Sequence, residues 1–299
     1  MVFLIASFLL NVGIYSLFHL FPKYRIDTFQ AIVFNYITCV VTGLVFIGSF
    51  EMALISEIKP WTPIAFLLGG IFIGTFYLMA LTTQRYGISV ASIASKMSLA
   101  IPVVFALFIF DIESKEFNVW NYLGLFSALI AIFFSAFRPE EVQSEKPLKG
   151  LSWILLPAAV FLFGGIIDTT INYTNYRFLA PSDAPIFPVY IFASASLAGS
   201  LILFFNRKKI RIANVIGGLI LGIINYFSVY FLILALSAFQ NDGAIVYPIL
   251  NMLIIMGSAL VSVVSFKERL KPINKLGLIL SLIAIFLISH QEIINFMGR

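Results

Sequence analysis

Lys96 is the residue in this chain whose type and place most demand a chemical reason. It lies in SVASIASKMSLAIP, an apolar run with Ser89, Ser92 and Ser95 on the turns before it. A charge at the centre of a bilayer costs roughly 3 kcal/mol or more, so it must face water, a partner or a ligand. The alternative is an ammonium that snorkels to the interface, which is hard to reach from inside a span. A carboxylate in a similar setting occurs in GGIIDTTINYTNYRF, where Asp168 is followed at helical spacing by Asn172 and Tyr176. Brought to one cavity, Lys96 and Asp168 make either a structural ion pair or a titratable gate. In the gate, Lys96 attracts a substrate carboxylate and Asp168 carries protons. Nearer an interface, Asp168 would be an ordinary boundary residue.

Uncharged polar residues extend the candidate cavity. Asn11, Asn35, Asn225 and Asn251 fall inside apolar runs. Each amide either hydrogen-bonds across helices, for about 1 kcal/mol, or meets a solute. Tyr36, Tyr190, Tyr226, Tyr230 and Tyr247 add rings and hydroxyls. A few polar groups within apolar walls suit a small amphipathic organic solute. Gly70 and Gly74, and again Gly218 and Gly222, have the four-residue spacing that lets helix backbones approach closely in lipid. Pro102 and Pro248 interrupt the fourth and ninth apolar runs, freeing a carbonyl and bending each helix. Glu113 and Glu268 follow those runs and read as interface charges, not ligands.

Other chemistries have little to stand on. There is no G-x-x-x-x-G-K-[ST], H-E-x-x-H or G-x-S-x-G. Cys39 is the single cysteine, and His19 and His290 stand far apart, so neither a metal site, a cofactor nor enzymatic catalysis is expected. The one basic cluster, Arg207, Lys208, Lys209 and Arg211, sits between two apolar runs and reads as a topology signal rather than a nucleic-acid surface.

The elements that must position these residues are long helices. Of 299 residues, 61% are hydrophobic and 11% charged, far from the balance of a soluble domain. The composition predicts an all-α integral membrane protein, with spans at 2–21, 28–50, 62–84, 88–110, 119–137, 150–177, 183–205, 213–237, 242–265 and 272–290. Residues 2–21 read as a retained first helix rather than a cleaved leader.

The second half repeats the first. GGIFIG at 69–74 is matched by GGLILG at 217–222, and LGLFSALIAIFFS at 123–135 by LGLILSLIAIFLIS at 276–289. Repeats of five spans, an odd number, must enter the membrane in opposite senses. The expected architecture is ten transmembrane helices as two inverted five-helix repeats around a central cavity, with repeats at 1–137 and 150–299 and a linker at 138–149. Inverted repeats are the plan of carriers that alternate access by rocking one half against the other.

The runs GAIVYPILNMLIIMGSALVSVVSFKERLKPINKLGLILSLIAIFLIS and ISVASIASKMSLAIPVVFALFIFDIE, the latter with LGLFSALIAIFFS, resemble the ends of the two repeats of EamA-type transporters in the drug/metabolite transporter superfamily. The resemblance implies a secondary carrier or exporter of small metabolites, amino acids among them, in the bacterial inner membrane. It implies a cavity lined by helices 1–4 and 6–9, with helices 5 and 10 peripheral, which places Lys96, Asp168, Asn225 and Asn251 at the cavity. Expected partners are a small-molecule substrate, protons through Asp168, and lipid. Loop charge places Lys and Arg mainly on the side opposite both termini, which puts the termini outside; relatives of this type usually keep both in the cytoplasm. The rival expectation is a membrane-embedded structural or sensory partner that moves nothing.

Overall fold

The computed structural model describes residues 2–47, 58–102, 105, 118–137, 152–179, 183, 186–206, 209–239 and 243–297. The expected linker at 138–149, and the acidic residues Asp111 and Glu113, lie outside them. The described residues hold helices and no strand. The helices are α1 (Val2–Leu20), α2 (Thr28–Ile47), α3 (Thr62–Tyr86), α4 (Ile88–Met97), α5 (Val119–Ala136), α6 (Ser152–Arg177), α7 (Phe187–Asn206), α8 (Ile212–Ala238), α9 (Gly243–Val264), α10 (Pro272–Ile288) and the short α11 (His290–Met297).

Among the described residues, eight helices, α1–α3 and α5–α9, are long and apolar enough to cross a membrane; α4 with its continuation, and α10, are shorter apolar helices. Their outer faces carry fully apolar side chains such as Leu9, Val41, Leu67, Leu197, Phe204 and Leu260, all exposed. Apolar surface of this extent needs lipid to cover it, and helices satisfy their backbone polar groups internally, as a bilayer requires.

Local chemistry sets the helix ends. Asp27 caps α2 by accepting from the Gln30 N–H, 3.1 Å. Its own N–H donates to Asn214 Oδ1 at the start of α8, 2.9 Å. Gly87 ends α3 and begins α4 with φ +91°, a conformation that favours glycine. Asn118 accepts from the Trp120 and Asn121 N–H groups to start α5.

The fourth expected span, 88–110, is not one unbroken helix. Helix α4 stops at Met97, Ser98 and Leu99 form a turn, and helix resumes at 100–102. Pro102 supplies the reason. It has no N–H for the Ser98 carbonyl, which accepts instead from Ile101 three residues on, 2.9 Å.

The largest helix pairs are α5 with α10, α2 with α8, and α3 with α7; α1 packs on α8 and α9, and α6 on α3 and α4. Helix α4 is central, touching α1, α3, α5, α6, α9 and α10. The α5–α10 pair is antiparallel and reciprocal. Asn121, in the first turn of α5, donates to the last carbonyls of α10, Ile288 at 2.9 Å. Asn274, in the first turn of α10, donates to Ser135 and Phe137 at the end of α5, 3.0 and 2.8 Å. A Cβ at Gly124 would stand 2.8 Å from Ile288 N, and one at Gly277 2.5 Å from Ser135 N.

The expected packing glycines are corrected in one half. Gly218 and Gly222 do bring α8 against α2: added Cβ atoms would meet Ala31 O at 2.6 Å and Asn35 O at 2.7 Å. Gly70 and Gly74 face outward with nothing within 4 Å. Gly69 makes the close approach instead, 2.6 Å from Ala195 N on α7. Four-residue spacing fixes a common face, and the buried face is offset from Gly70 by one residue, a rotation of about 100°.

Candidate functional site

The site begins where α4 breaks. The turn at Ser98–Leu99 leaves Ser98 on the side of α6, whose Gly164 and Gly165 let the two backbones close: a Cβ at Gly165 would stand 2.6 Å from Ile101 Cβ. One turn along α6 from Gly164 is Asp168, and Ser98 Oγ lies 3.0 Å from its Oδ2. Ser98 Oγ also lies 2.6 Å from the Ser95 carbonyl. One hydroxyl hydrogen serves two acceptors here. When it goes to Ser95 O, the second contact is completed only by a proton on Asp168, donated to Ser98 Oγ. The triad therefore has a hydrogen-bonded arrangement for either state of the carboxyl.

Lys96 shares this interior with Asp168, within Coulombic reach of it but not in direct ion-pair contact. Residues 88–94 and Met97 of α4 are buried, while Ser95 and Lys96 retain accessible surface. Other helices touch α4 on several sides, so that surface lies among helices rather than on the outer apolar face. Tyr15 of α1, itself buried, presents its phenol to Ser95. From α9, Tyr247 lies in the field of Asp168. One turn on, Asn251 is nearly buried, and among the described residues its amide has no hydrogen-bond partner and is not sealed from accessible space. The next turn brings Ile255 into the apolar cluster with Ile93 and Met97, so this face of α9 is turned toward α4.

The result is a basic and an acidic side chain near one another without an ion pair, with an amide and two phenols on neighbouring helices. Groups so arranged can meet a ligand that carries both charges. Among the described residues no three metal-ligating side chains cluster.

Not every expected residue comes here. Ser92 is fully buried, its hydroxyl donating to Ser89 O at 2.9 Å within α4. Asn11 donates to Ser7 O of its own helix, 2.9 Å. Asn35 and Asn225 are joined to each other in the α2–α8 seam: Asn225 Nδ2 donates to Asn35 Oδ1 at 3.2 Å, and Asn35 is fully enclosed. They act as helix contacts rather than cavity lining. Tyr226 stacks on Tyr230, ring centres 6.3 Å apart. Tyr36 is buried and donates to Phe72 O, 3.2 Å. Asn172 and Tyr176 fall on α6, and their side chains lie outside the described residues. Pro248 lies inside α9, one residue after Tyr247, and Pro157 lies inside α6.

The sequence carries signals for Ser98, Gly164 and Gly165: the glycine pair stands one turn before Asp168, and Ser98 is the residue whose carbonyl finds no N–H at Pro102.

No family model matches the chain. It is 29% identical over 296 residues to an uncharacterized protein of Haemophilus influenzae, covering 97% of this chain and 98% of that protein. A solved crystal structure superposes with a TM-score of 0.58 at 12% identity, covering 95% of this chain and 98% of that one. At that identity the likeness is one of fold, and it extends over nearly the whole length of both chains.

Proposed function

We propose that this chain is a secondary carrier of the EamA type, moving a small organic solute with amino-acid-like charges across a bacterial inner membrane by alternating access. The observation that carries this reading is Lys96, a basic side chain within a span that lies near Asp168 yet makes no ion pair or hydrogen bond among the described residues. A static membrane protein gains nothing from such a pair, since each charge is costly to enclose. A zwitterionic solute would satisfy both.

The helix pairings support the two-repeat plan. Exchanging α1–α5 with α6–α10 maps α2–α8 onto α7–α3, α1–α8 onto α6–α3, and α1–α9 onto α6–α4, all of which occur. The antiparallel α5–α10 pair maps onto itself. In this plan the halves run in opposite senses, as in carriers that rock one repeat against the other. With no nucleotide motif, the driving force is a gradient or exchange, with Asp168 as the proton-linked group.

The test is uptake of radiolabelled amino acids and related metabolites by proteoliposomes containing the purified chain, paired with a thermal-shift screen of the same compounds. Saturable flux that Lys96→Ala removes is expected. A chain that inserts normally, moves none of the compounds and is stabilised by none would sink the reading in favour of a non-transporting membrane partner.

A further inference from the structure

We propose that Glu268 is the clamp that closes the Lys96–Asp168 site at the end of the bundle where α1, α4 and α9 meet. Its carboxylate sits four residues beyond α9. Lys267 before it has φ +55°, a left-handed backbone uncommon for a non-glycine residue. The Glu268 N–H donates back to Ser262 O of α9, 3.0 Å, and the Ser262 hydroxyl donates to Oε2. The chain thus folds onto the end of α9 and aims the side chain inward.

Oε1 then accepts the Ile88 N–H, at the first residue of α4, 3.2 Å. It also lies 3.3 Å from Nδ1 of His19, near the end of α1. One carboxylate joins three helices, of which α4 carries Lys96 and α9 carries Tyr247 and Asn251. Gly87 is required here twice. Its φ of +91° favours glycine, and a Cβ would stand 2.5 Å from Glu268 Oε2.

Two features mark a removable seal rather than a permanent joint. Helix α4 is 10 residues long, bounded by Gly87 at one end and the Ser98–Leu99 turn at the other. The segment bearing Lys96 thus has a conformational break at each end, the sites where hinges absorb rotation. The closed state also leaves a polar group wanting: among the described residues the Ser89 hydroxyl, on the first turn of α4, is buried without a hydrogen-bond partner. Water entering on opening would supply it. The strained backbone at Lys267 is the kind that persists where a position must be held for function.

The purpose of the clamp rests on the carrier reading, but its test needs no substrate. In a Cys39→Ser background, Ser92→Cys places a reporter on α4, at a site fully buried in the closed state. A membrane-impermeant maleimide is applied from the α3–α4 loop side. Glu268→Ala should raise the labelling rate on the order of tenfold by shifting the local opening equilibrium. In Glu268→Ala with the native Cys39 kept and no reporter, labelling should stay slow, because Cys39 is buried in the α2–α8 seam. Equal labelling with and without Glu268 would overturn the proposal, as would a matching rise at Cys39, which would mean general loosening. Should Glu268→Ala not fold, Ser262→Ala and His19→Phe each remove one contact and should raise reporter labelling severalfold; no change in either would also overturn it. A carrier that fails the flux assay leaves these outcomes readable.

Discussion

Between α2 and α8, Asn225 donates to Asn35 and also approaches Cys39 Sγ at 3.6 Å, and the three side chains are enclosed. Between α4 and α6, Lys96 and Asp168 stop short of each other and keep accessible surface. Both groups are polar and both lie within apolar helices. In the first, the polar atoms mainly meet one another and fix how two helices sit, worth about 1 kcal/mol per contact. In the second, costly charges are left for something else to meet. On the proposed reading, charges left unpaired within a span mark the working residues and joined amides mark helix contacts, although the Asn35 Nδ2 is itself buried without a partner among the described residues.

Five substitutions break or sharpen that contrast. Lys96→Ala has the largest expected effect: flux or ligand-induced stabilisation falls about a hundredfold, an amount of roughly 2.7 kcal/mol. The melting temperature without ligand should hold or rise, since an enclosed charge has been removed. A parallel loss of stability and flux would mean that Lys96 is structural. Gly222→Leu should cost about 2 kcal/mol by overpacking, because its Cβ would stand 2.7 Å from Asn35 O; thermal unfolding in detergent checks it. Asn225→Leu leaves Asn35 without its donor and should cost about 1–2 kcal/mol while sparing solute recognition. If recognition is lost and stability kept, the two clusters have the opposite roles. Gly70→Leu and Gly74→Leu should change stability by less than about 0.5 kcal/mol, since both positions open outward.

Asp168→Asn sharpens the site itself. It keeps hydrogen-bonding capacity toward Ser98 but cannot exchange a proton in the same range. The flux–pH profile should flatten while the unliganded melting temperature moves little. An unaltered profile would remove Asp168 as the proton-linked group.

Much of the helical layout was legible because apolar runs in lipid must be helical and must be long. Lys96 and Asp168 were legible for the same reason: a charge inside such a run is conspicuous and costly. What stayed hidden depended on facing. The spacing of Gly70 and Gly74 promised a shared face but held no information on whether that face turned inward, and the contact fell to Gly69. Pro102 was visible as a disruptor, yet its effect appears at Ser98, four residues earlier, where the lost acceptor partner lies. Glu268 read as a loop charge because nothing local says that a residue beyond α9 will reach the first N–H of α4. The runs NYLG at 121–124 and NKLG at 274–277 repeat the Asn and Gly of the α5–α10 contact. Their meaning emerges only when each asparagine is seen to serve the other helix.

That reciprocity has a consequence for how the chain is made. Asn121 reaches carbonyls at the end of α10, and Asn274 reaches those at the end of α5. During synthesis the amino-terminal portion must wait, with those groups unserved, until the last long helix has emerged. A ribosome paused before Pro272 would leave an intermediate that depends on lipid headgroups, water or an insertion factor to shield them.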